Sequence, residues 1–92
     1  MRFEWDEAKN QANIRKHGIN FQDAIDIFNH PILCRLDDRA DYAEERWVAI
    51  GRIQHLTGIV VFTERTGDIV RIISARKATK REVRLYEKNT GY

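Results

Sequence analysis

The chain has 92 residues, enough for one domain spanning 1–92 with a modest core and too few for a second lobe. Charged residues make up 33% and hydrophobic residues 42%, with a formal charge of +2, so any electrostatic function must come from segregation of charge. Cys34 is the single cysteine, which excludes an intrachain disulfide, and His17, His30 and His55 are too dispersed for a metal site; no metal or other cofactor is expected. No apolar run approaches the roughly 20 residues of a membrane span, and Met1 to Asp6 lacks a signal-peptide core, so the expected location is the cytoplasm.

In chain order, Phe3 and Trp5 alternate with Glu4 as a short opening strand, and Asp6 stands as the N-cap of a helix over 7–17 that Gly18 ends. Lys9, Asn13, Lys16 and His17 form a polar stripe on that helix that can touch RNA. Asn20 caps a second helix in which Phe21, Ala24, Ile25 and Phe28 recur at core spacing, and Pro31 stops it. Residues 32–37 read as a strand. Residues 37–45 are too acidic and unpatterned to pack, and read as an exposed loop. A strand over 46–52 follows, then the unbroken apolar run Ile59-Val60-Val61-Phe62, the pattern of a central strand. A hairpin loop around Gly67 leads into a strand over 69–75, and Thr79 with Glu82 makes a capping box opening the last helix. The order predicts an α+β fold: an antiparallel sheet with two N-terminal helices and a basic C-terminal helix.

At about 100° per residue, Lys77, Lys80, Arg81, Arg84 and Lys88 share one arc of the last helix, while Ala78, Val83, Leu85 and Tyr86 occupy the other. Such a stripe beside strand arginines is the footprint of a protein that grips phosphate; a solvated helix face is the alternative. Arg71, in phase with Ile69, Ile73 and Ala75, needs either a carboxylate or a cleft. Glu82 lies within the apolar arc and needs an arginine, with Arg71 or Arg46 as the expected partner of a structural ion pair. Arg65 at the hairpin and Arg76 at the strand end are the better catalytic candidates, since a planar guanidinium can hold two phosphate oxygens and stabilise a phosphorane. His17, Glu45 and Lys80 are candidates for moving protons, and the Tyr86 hydroxyl reaches a cleft only if its ring leaves the core. Trp5, Trp47 and Tyr42 can stack on bases, although packing explains both tryptophans.

The block Phe3 to Lys9, with Asn13, Lys16-His17-Gly18-Ile19, Phe21, Ala24, Glu45-Arg46-Trp47, Gly51, Arg71 to Thr79, Glu82 and Tyr86, resembles the BrnT toxin family over nearly the whole chain. The resemblance implies a fold similar to RelE-like ribonucleases and a toxin of a type II toxin-antitoxin system that cuts RNA, inhibits translation and arrests growth under stress. It also implies a BrnA-like antitoxin with a ribbon-helix-helix region and an acidic segment, which carries the complex to operator DNA. On this reading Arg65, Arg76, Lys80 and Tyr86 are the catalytic set, and Lys9, Lys16, His17, Lys77, Arg81 and Arg84 hold RNA. The competing readings are a non-catalytic nucleic-acid-binding module and a protein-interaction module using the same stripe.

Overall fold

The computed structural model describes residues 1–39 and 43–91. Five strands form one sheet in the order β1-β5-β4-β3-β2, with β1 at Arg2–Glu4, β2 at Ile32–Leu36, β3 at Trp47–Ile53, β4 at Leu56–Arg65 and β5 at Ile69–Lys77. The sheet is mixed, which corrects the antiparallel expectation: β1 runs parallel to β5, with Glu4 beside Arg71, whereas the other pairs are antiparallel. Local patterning cannot fix this, because the direction of β1 depends on a partner 67 residues away.

Helix α1, Glu7–His17, starts where Asp6 accepts hydrogen bonds from the Ala8 and Lys9 amides, and ends at Gly18, whose φ of 73° suits a residue without a side chain. The second helix is shorter than its pattern suggests: α2 covers Phe21–Ala24 and continues as a 3₁₀ turn over Ile25–Asn29. Buried Asn10 joins α1 to α2 by accepting from the Phe21 amide at 2.8 Å. Helix α3, Lys80–Thr90, carries the expected capping box between Thr79 and Glu82.

The two sheet faces bury separate cores. One face packs Val60, Phe62, Ile72 and Ala75 against Phe21, Ala24 and Ile27, with Trp5 and Trp47 joining the same cluster. Trp5 meets Phe21 edge to face at 6.2 Å, so both tryptophans serve packing. The other face packs Val48, Ile50, Ile59 and Val61 with Ala78, Val83 and Tyr86 beneath α3. The β4 strand is central, as its apolar run predicts.

Asp37 departs from the exposed-loop reading of 37–45. Its side chain is fully buried, its amide donates to Arg46, and its carboxylate binds the Arg39 guanidinium through two contacts of 2.8 Å. Tyr42, a candidate for base stacking, lies outside the described residues.

Candidate active site

The decisive local feature is an irregularity in β5. Val61 faces Ser74 and Phe62 faces Ile72, so Ile73 is an extra residue in the ladder. In a regular strand, residues five apart point to opposite faces. The bulge resets the phase: Arg71 lies across from Thr63 and Arg76 across from Ile59, so both arginines share the α3 side of the sheet. Ala75, expected to be in phase with Arg71, is instead buried in the opposite core.

This rephasing also corrects the expected Arg71–Glu82 ion pair. Parallel pairing of β1 sets Glu4 next to Arg71, and Glu4 Oε2 accepts from Arg71 Nη1 at 2.6 Å. Glu82 does face an arginine, but it is Arg76: Nη1 donates to Oε1 at 2.8 Å and Nη2 to Oε2 at 2.9 Å. Glu82 Oε1 also accepts from the Thr79 amide at 2.8 Å, so one carboxylate caps α3 and holds the strand arginine. The Arg76 hydrogen bonds, with the Thr79 amide adding to them against the cost of burial, lower the Glu82 carboxyl to about 2; the same contact raises the Arg76 pKa.

A guanidinium has five N–H donors. Two of Arg76's bind Glu82 and a third, on Nη1, reaches the Lys77 carbonyl at 3.2 Å. Among the described residues, nothing accepts from Nε or the second Nη2 hydrogen. These two point the same way and form the side-on fork that receives a second bidentate anion. The side chain is 39% exposed, so that fork can be reached. The Arg39 charge, held by Asp37, opposes that of Arg76 weakly, as the smallest influence on its pKa. Sequence reasoning missed Arg39, although an Asp two positions before an Arg was a signal for such a brace.

Of the other catalytic candidates, Arg65, Lys80 and Tyr86 do not converge on Arg76. Arg65 lies at the far end of β4, six residues from Ile59, or roughly 20 Å at about 3.3 Å per residue. There it approaches Glu4 at 3.7 Å and Glu44 at 3.5 Å, in one cluster with Arg71. Lys80 is exposed and lies about 160° round α3 from Glu82, so it does not join the fork, whereas the exposed Arg81 and Arg84 line a concavity of about 650 Å³ together with Glu82. Lys77 belongs to the end of β5 and not to the helix stripe. Tyr86 is fully buried and donates its hydroxyl to the Pro31 carbonyl at 2.6 Å, which anchors α3 to the start of β2 and keeps the ring in the core. Lys9, Lys16 and His17 are exposed on α1 beside the outer edge of β5.

The family described as "Ribonuclease toxin, BrnT, of type II toxin-antitoxin system" matches residues 5–82. The fold is similar to the 1.1 Å crystal structure of the Brucella abortus ribonuclease toxin BrnT, at 29% identity and a TM-score of 0.66, over 87% of this chain and 99% of that one. No curated protein matches the chain. The class is therefore that of ribonuclease toxins of type II toxin-antitoxin systems, and within it this chain belongs to the BrnT family.

Proposed function

We propose that this chain is a metal-independent endoribonuclease that cuts messenger RNA and so inhibits translation, with Arg76 as the residue that holds the scissile phosphate. The side-on fork of Arg76, left open while Glu82 grips the other edge, is the observation that carries this reading. The ribose 2′-oxygen attacks phosphorus and gives up its proton; the bond from phosphorus to the 5′-oxygen breaks, and that oxygen takes a proton. The products are a 2′,3′-cyclic phosphate and a 5′-hydroxyl. Arg76 stabilises the charge that grows on the non-bridging oxygens between these two events. Because Glu82 fixes the guanidinium plane beforehand, little reorganisation is needed as charge develops.

The proposal extends to a BrnA-like antitoxin whose acidic segment neutralises the toxin by competing with RNA for the same cations, and whose ribbon-helix-helix region brings the complex to operator DNA. No helix among the described residues is long and apolar enough to cross a membrane. Incubating the purified chain with end-labelled messenger RNA in EDTA tests the activity. Fragments ending in 2′,3′-cyclic phosphate are expected; intact RNA that remains bound would identify a binding module instead.

A further inference from the structure

Strand β1 ends at Glu4 opposite Arg71, so the outer edge of β5 beyond that point is left to α1. Asn13 closes part of this edge from within: its side-chain amide donates to the Ala75 carbonyl at 2.8 Å and accepts from the Ala75 amide at 3.1 Å, as a neighbouring strand would. Outside this clip runs a groove of about 240 Å³ between α1 and the bulge, lined by Lys9, Ala12, Lys16, His17, Ile73 and Ser74. Ala12 keeps its floor low, and Lys9 and Lys16 rise from one side of the helix two turns apart, roughly 10 Å along its axis. Among the described residues neither lysine has a carboxylate partner, in contrast to Arg65, Arg71 and Arg76 across the sheet.

We infer that this groove is an RNA-backbone subsite, separate from the scissile-phosphate site, in which Lys9 and Lys16 hold phosphates of the nucleotides flanking the cut. Position supports this assignment. Ile73 and Ser74 lie on β5 between Arg71 and Arg76, and Ser74 is two residues, roughly 7 Å, from Arg76. A single strand seated against α1 therefore passes along the β5 edge toward the open fork. The bulge that brings Arg76 to the α3 face also builds one wall of the groove. Lysine suits flanking phosphates, because a mobile point charge neutralises a backbone oxygen without imposing orientation, whereas the reacting phosphate needs the arginine fork.

The inference rests on RNA as substrate, and its test is chosen to read binding alone. The probe is an eight-nucleotide 2′-O-methyl RNA, which has no nucleophilic hydroxyl and is not cut. Its affinity is measured across a salt series for wild type, for Lys9→Ala/Lys16→Ala, and for Arg15→Ala, a cation roughly 110° round α1 from the two lysines and outside the groove lining. The double variant should bind more weakly, with a salt slope shallower by about 1.4, or about 0.7 per lysine, while Arg15→Ala keeps the wild-type slope. An unchanged slope in the double variant, or an equal change in Arg15→Ala, overturns the inference. Loss of poly-aspartate binding with unchanged RNA binding also overturns it and marks a protein-docking face. A chain that cuts no RNA yet shows the slope change keeps the subsite and loses the nuclease reading; one that cuts RNA with an unchanged slope loses the subsite alone.

Discussion

In the proposed site, the Arg76–Glu82 ion pair ties helix stability to the residue assigned the reacting phosphate. Glu82 is held at about 2 against an ordinary 4.5, first by the Arg76 hydrogen bonds. Its folded pKa is depressed, so its stabilising contribution is fully present above pH 4.5 and is lost as pH falls through about 2. Urea unfolding of wild type and Glu82→Gln should therefore give a stability difference that is flat above about pH 4.5 and shrinks below it. A difference that grows toward acid would contradict the assignment. Tyr86 belongs to a different class of residue, because its hydroxyl is committed to the Pro31 carbonyl beneath α3. Tyr86→Phe should lower stability by about 1 kcal/mol, read as an earlier urea midpoint, without slowing RNA cleavage by the folded protein.

At the scale of elements, the β5 edge depends on Asn13, buried and bonded to Ala75 and to the Ile19 carbonyl. Asn13→Ala leaves buried backbone groups without partners and should cost about 2 to 3 kcal/mol, with accelerated amide exchange at Ala75 as the local readout. Unchanged protection at Ala75 would show that the clip is dispensable. The elements themselves were legible from local chemistry: Asp6, Gly18, Asn20 and the Thr79/Glu82 box mark helix ends by interactions within four residues. The Arg76 partner was not legible. It depends on the bulge at Ile73 and on parallel pairing of β1, which arise from contacts between distant strands and leave no periodic trace. The same reason explains why Arg65 and Arg76, both at strand ends, read as neighbours although roughly 20 Å of strand separates them.

Across the whole molecule, the sheet divides labour between its faces. One face is sealed by α1, α2 and the 3₁₀ turn over an apolar core, in which Phe28 stacks against Phe3 at 5.4 Å and Phe62 at 5.2 Å. The other is only partly covered by α3 and carries the braced arginines. Phe28→Ala should cost about 3 kcal/mol through the cavity it leaves, whereas Arg76→Ala, at an exposed ion pair, should cost about 1 kcal/mol or less. Equal losses would erase the separation of core from site. Whether the Arg76 fork stabilises the reacting phosphate is read from the single-turnover cleavage rate of one RNA by wild type, Arg76→Ala and Arg76→Lys at matched folded concentration. Arg76→Ala should lose about 100-fold or more, and Arg76→Lys, a point charge without the fork, should not restore the rate. Cleavage by Arg76→Ala at the wild-type rate would contradict that role.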